Sequence, residues 1–131
     1  MKKILFLVIA IFAIQIVLAQ ETTSGSADNV YNTTTVDVKP QFSGGYEAFY
    51  EFIRKNYKMP KVEKLEGKVY VTFVIEKDGN LDEIRVLRDI GYGTGQEAIR
   101  VLELSPKWNP AEKNGQKVRC QFSIPITLQS S

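Results

Sequence analysis

The sequence predicts an α+β domain: a three-stranded antiparallel sheet in the order 2-1-3, with two helices on one face. Three observations predict it. Two stretches carry apolar residues at helical spacing, three others alternate apolar and polar residues, and turn or stop signals separate them. Along the chain the order is helix, strand, strand, helix, strand.

The first helix follows Pro40 and Ser43-Gly44-Gly45. Tyr46, Phe49, Ile53 and Tyr57 fall on one stripe, with Phe52 beside it. Glu47, Glu51, Arg54, Lys55 and Lys58 take the other side, acids early and bases late, as the helix dipole favours. Met59-Pro60 ends the helix.

The first strand runs from Lys68 to Glu76. Val69, Val71, Phe73 and Ile75 form one wholly apolar face, and Lys68, Tyr70, Thr72 and Val74 the other. Asp78-Gly79 signals a hairpin, after which Leu81 to Arg88 returns as a second strand with Ile84 and Val86 inward. Gly91-Tyr92-Gly93 breaks the sheet pattern. Thr94-Gly95-Gln96-Glu97 then matches a capping box, in which Thr94 caps the second helix and Glu97 reaches back. Gly91, Gly93 and Gly95 lack the Gly-Lys-Ser/Thr of a phosphate loop and do not fit a dinucleotide fingerprint. Ala98, Val101, Leu102 and Ser105 keep helical spacing until Pro106. Trp108 and Pro110 anchor the chain that follows, and Asn114-Gly115 turns it into the third strand.

A hairpin pairs the first two strands antiparallel, and a helical crossover sets the third parallel to the second. An all-antiparallel sheet then needs the first strand in the middle. In the third strand Val118, Cys120, Phe122, Ile124, Ile126 and Leu128 face the core. From Lys117 to Leu128 the strand spans roughly 40 Å, so it overhangs the first. Pro125 has no N–H and belongs on an edge. Because backbone groups alternate, Arg119, Gln121 and Ser123 face that edge with it, while Val118, Cys120, Phe122 and Ile124 bond to the first strand. Such an edge is an aggregation hazard or a docking rail, or else one simply protected by its proline and polar side chains.

Outside this domain, residues 38–129, the sequence predicts two further segments. Met1-Lys2-Lys3 and the apolar run from Ile4 to Ala19, broken only by Gln15, read as a signal peptide cleaved after Ala19. The other reading is an uncleaved membrane anchor, although the run is shorter than the about 20 residues a spanning helix wants. Residues 20–37, rich in Thr, Ser, Asn and Asp, read as a flexible tether. Of 17 basic residues two lie in the leader, leaving 15 against 15 acidic ones, so no basic surface for nucleic acid is expected. The 131-residue chain has no histidine and one cysteine, Cys120, read as a small buried apolar residue. His-based catalysis, His/Cys zinc sites and an internal disulfide are therefore not expected, and no metal or cofactor is called for. Ser123 lacks the S-x-x-K setting of a Ser/Lys enzyme, and no enzymatic activity is expected.

Several segments together resemble the C-terminal domain of TonB energy transducers in their Bacteroidetes form. They are Pro40-x-Phe42-x-Gly44-Gly45, Gly67-Lys68-Val69, Phe73-Val74-Ile75-x-x-Asp78-Gly79, Ala98-Ile99-Arg100-Val101-Leu102, Pro106-x-Trp108-x-Pro110-Ala111, Asn114-Gly115-x-x-Val118 and Pro125-Ile126. The resemblance covers residues 38 to 129 and implies a TonB/TolA C-terminal-like fold. It also implies a periplasmic role in TonB-dependent transport: gripping the TonB box, a short extended peptide of outer-membrane transporters, by strand addition beside the last strand. By position, Val118, Arg119, Cys120, Gln121, Phe122, Ser123 and Ile124 carry that contact through backbone groups, with Trp108, Pro110, Gly115 and Pro125 structural. Full transducers also have a membrane-spanning helix and a Pro-rich spacer. Here the tether has no proline before Pro40 and, fully extended, reaches at most about 70 Å. Two alternatives remain: a homodimer that uses the third strand for self-pairing, and a minimal transducer anchored in the inner membrane if the leader is uncut.

Overall fold

The computed structural model describes residues 29–130. The expected leader and the start of the tether lie outside the described residues. The elements are β1 (Val30–Asn32), α1 (Gly45–Asn56), β2 (Glu66–Ile75), β3 (Leu81–Arg88), α2 (Thr94–Glu103), β4 (Ala111–Lys113) and β5 (Gln116–Gln129). The fold is α+β as expected, but the sheet is mixed and has five strands, in the order β1-β5-β2-β3 with β4 pairing β5 off that path. This corrects the three-stranded, all-antiparallel expectation. The three long strands are neighbours, with β2 between β5 and β3. The two additions, β1 and β4, have 3 residues each, too few to show a period.

β2 and β5 pair without a break from Glu66↔Gln129 to Ile75↔Cys120. The β2–β3 ladder shifts register twice, and Glu83 takes a φ of +48° beside one shift. Such bulges twist an edge strand, and β3 also carries exposed Asp82, Glu83, Arg85 and Arg88, so that edge is guarded against pairing.

One core lies between the sheet and the helices. It joins Val69, Val71, Phe73 and Ile75 of β2 and Phe122, Ile124, Ile126 and Leu128 of β5 to Phe49 and Ile53 of α1 and Ala98, Val101 and Leu102 of α2. Trp108 sits in its middle, with ring centroids 5.6 Å from Phe42, 4.9 Å from Phe49, 5.7 Å from Phe73 and 5.6 Å from Phe122. Its indole N–H donates to the Ser105 hydroxyl at 3.0 Å, which satisfies the one polar atom that such an anchor buries.

Two local expectations are corrected. Tyr46 is 61% exposed and lies against Tyr50, outside the buried stripe of Phe49 and Ile53. No capping box forms at α2, whose N-cap is Gly93. The Thr94 hydroxyl instead donates to the Gly91 carbonyl at 2.7 Å. Glu97 turns to α1: it accepts from the Lys58 N–H at 2.7 Å and from Arg100 at 2.8 and 2.6 Å, while Arg100 also donates to the Asn56 carbonyl at 2.7 Å. Joining two helices outcompetes closing one helix turn because these bonds also satisfy free groups at the end of α1.

Candidate functional site: the outer edge of β5

Alternation buries Cys120, Phe122, Ile124, Ile126 and Leu128 on the helix face and leaves Gln121, Ser123, Pro125 and Thr127 exposed on the other. Pro125 stands opposite Tyr70. It has no N–H to give to β2, so this is a non-hydrogen-bonded pair. The unbroken ladder carries that parity along the strand: Ile124, Phe122 and Cys120 bond to β2, and Ser123, Gln121 and Arg119 turn their backbone groups outward.

That edge was expected to be open, and over three residues it is not. β1 lies parallel to β5 on the side opposite β2, with Val30↔Arg119, Tyr31↔Cys120 and Asn32↔Gln121. The segment read as a tether thus supplies a strand. The overhang of β5 beyond β2 is also filled, since β4 pairs Ala111↔Val118, Glu112↔Lys117 and Lys113↔Gln116. Asn114 and Gly115 make the turn between them, with φ of +53° and +76°, both positive as the tightest hairpin turn requires. Among the described residues, no strand pairs with the outer side of β5 beyond Gln121.

The side chains along this stretch are fixed away from the edge. Arg119 donates to both carboxylate oxygens of Glu76, at 2.8 and 3.0 Å, with Glu83 3.7 Å away. Gln121 and Ser123 both donate to the buried Thr72 hydroxyl, at 3.0 and 3.1 Å, and Thr72 donates to the Phe122 carbonyl at 3.2 Å. What remains for a partner is backbone. Where β1 ends, Asn32, Thr33, Tyr46, Gln121, Phe122 and Ser123 line a shallow groove. Tyr46 lies 6.0 Å from Phe122 there, and partial burial and the neighbouring Tyr50 raise its hydroxyl pKa.

The structure brings Val118, Arg119, Cys120, Gln121, Phe122, Ser123 and Ile124 onto one strand. It divides them in role: Val118 meets β4 and not, as expected, β2; Arg119 to Gln121 meet β1; and only Phe122, Ser123 and Ile124 lie past both. Trp108 is core, Pro110 is half-buried just before β4, Gly115 is turn, and Pro125 is exposed opposite Tyr70. Burial pushes the Cys120 thiol up to about 11, which makes it a poor nucleophile. Among the described residues no group of His, Cys, Asp and Glu is placed to hold a metal ion, and no helix is long and apolar enough to cross a membrane. Sequence reasoning missed β1 and the exposed Tyr46. Val30-Tyr31, two strong strand formers ahead of the turn-prone Asn32, were the available signal for β1.

The search of curated proteins returns no match. The family model for the Gram-negative bacterial TonB protein C-terminal matches residues 58–128, a stretch that includes β2 through most of β5 and leaves β1 outside. Over half of the chain therefore follows that pattern, and the chain belongs to the TonB C-terminal family, a non-enzymatic, envelope-associated domain of transport whose members interact with outer-membrane transporters.

Proposed function

We propose that this chain grips the TonB box of an outer-membrane transporter, adding that extended segment as a strand at the outer edge of β5. The observation that carries the reading is the parity of β5: Arg119, Gln121 and Ser123 turn their backbone groups away from β2 while their side chains are held elsewhere. Main-chain bonds then supply the affinity, and the incoming side chains that alternate toward Tyr46 and Phe122 tune it. Cys120, Phe122 and Ile124 hold the strand to β2, and Val118 holds it to β4. In this reading the leader is removed after Ala19, and the domain works in the periplasm as a non-enzymatic binding module.

The test is titration of the chain from Gln20 with ten-residue peptides that cover the periplasm-facing N-terminal segments of outer-membrane transporters. Amide resonances of Arg119, Gln121 and Ser123 are expected to move together. Shifts confined to other elements would sink the mechanism. A second reading, a homodimer joined through β5, draws on the unpaired outer side of Ser123 to Gln129. Its expected signature is a dimer mass in solution with those amides slow to exchange, and a monomer rejects it.

A further inference from the structure

The edge proposed for the transporter segment already holds a strand of this chain. Three features of β1 set it apart from the rest of the sheet. It is poorly buried: Val30 is 40% exposed, Asn32 is exposed and Tyr31 is half-buried. It ends in a local turn, where the Asn32 side chain accepts from the Thr34 and Thr35 N–H groups at 3.0 and 3.1 Å and from the Thr34 hydroxyl. Beyond the turn the chain is held independently. The Asp37 and Val38 N–H groups donate to the Glu112 carbonyl at 2.9 and 3.0 Å, and Glu112 donates back to Val38 at 3.0 Å. Release of β1 therefore leaves the attachment from Asp37 onward intact. Among the described residues one side-chain latch touches the segment, Lys113, which donates to the Thr35 carbonyl at 2.8 Å and lies 5.9 Å from the Tyr31 ring.

Donor arithmetic along the edge decides what a partner needs. With β1 in place, the next outward residues are Ser123 and then Pro125, which has no N–H, so the open stretch offers an interrupted ladder. With β1 gone, Arg119, Gln121 and Ser123 form an unbroken row. A strand that needs three consecutive outward donors must take the row that β1 occupies.

We propose that β1 is a built-in placeholder: Val30–Asn32 occupies, parallel to β5, the stretch of edge on which the transporter segment docks, and docking releases it. This rests on the reading of β5 as the peptide edge, and it adds a regulatory element that lies outside the residues matched by the family model. Apparent affinity is then the affinity of the open edge multiplied by the fraction of molecules with β1 released.

The test uses the chain from Gln20 and its Tyr31→Pro variant, which removes the β1 N–H directed at β5 and lies away from the core. Without ligand, the Gln121 amide is expected to exchange slowly in the wild type and fast in the variant. Equal protection in both overturns the inference. With a transporter N-terminal peptide as probe, the variant is expected to bind about threefold to thirtyfold tighter. At saturation of the wild type, the Tyr31 and Asn32 amides move to positions of unpaired chain. Unchanged affinity in Tyr31→Pro, or a saturated wild type in which β1 stays paired, overturns the placeholder while leaving the peptide edge standing. No response from either protein to any such peptide removes the peptide edge, and the placeholder with it.

Discussion

Gly79 and Trp108 meet backbone to backbone. The Trp108 N–H donates to the Gly79 carbonyl at 2.9 Å, and a β-carbon on residue 79 would lie 2.1 Å from the Trp108 carbonyl oxygen. The turn between β2 and β3 and the anchor ahead of β4 are thus one joint, and the Trp108 ring reaches from it into the core.

Gly79→Ala therefore meets two obstacles, the approach of Trp108 and a φ of +90°. The expected loss is about 2–4 kcal/mol of stability, read as a lower urea midpoint. Asp78→Ala removes only the bonds to Asn80, at 3.0 and 2.9 Å, and is expected to lose about 1 kcal/mol. Equal losses for the two would show that the close approach is not what the turn requires.

Trp108→Ala empties the centre of the aromatic cluster of Phe42, Phe49, Phe73 and Phe122. Losses for such truncations run to about 3–5 kcal/mol. Thermal unfolding is the check. A midpoint within a few degrees of wild type would mean that the cluster closes over the gap.

The long elements were legible because each repeats its pattern over enough residues. The apolar face of β2 and the alternation of β5 identify their faces without ambiguity, and Asn114-Gly115 fixed the entry to β5. β1 was hidden for the opposite reason: Val30, Tyr31 and Asn32 are too few to show a period and sit in a polar run. Tyr46 keeps helical spacing with Phe49, yet it lies at the rim, where no element among the described residues covers it. Glu97 could satisfy either its own helix end or the end of α1, and local spacing cannot rank the two. The edge itself was legible from Pro125 alone, but its occupant was not, because pairing between positions 30 and 120 leaves no local trace.

Acid should weaken the α1–α2 joint. Hydrogen bonding from Arg100, with the Lys58 N–H and nearby positive charge adding to it, holds the Glu97 carboxyl below its ordinary value, against the opposing effect of burial. A depressed folded pKa means that this contribution is present above about the ordinary glutamate value of 4.5 and is lost as pH falls through the lower folded value. Glu97→Gln should lower the melting temperature at pH 7 and flatten its decline below pH 4.5. Parallel acid limbs for variant and wild type would contradict this.

Alkali should act through Cys120 and Tyr57. Burial raises the thiol from 9.0 to about 11, and burial with the nearby Glu97 and Asp89 charges raises the Tyr57 hydroxyl from 10.0 to about 12. The folded state then holds protons that the unfolded state gives up, so stability falls as pH rises from about 9 toward 12. Cys120→Ala should make the first part of that fall shallower. At pH 8 the native thiol is expected to resist iodoacetamide and to react at once in urea.

The central claim, that a partner strand bonds to the outward backbone of β5, is tested most directly by Ser123→Pro. A proline there removes an outward N–H and leaves the ladder to β2 whole, as Pro125 already does two residues on. The variant should fold and unfold nearly as the wild type does, with the small loss due to its bond to Thr72. The measurement is its affinity for a transporter peptide that the wild type binds. The expected result is a loss of about tenfold with the native melting transition retained; unchanged affinity in a folded Ser123→Pro protein would contradict docking at this edge.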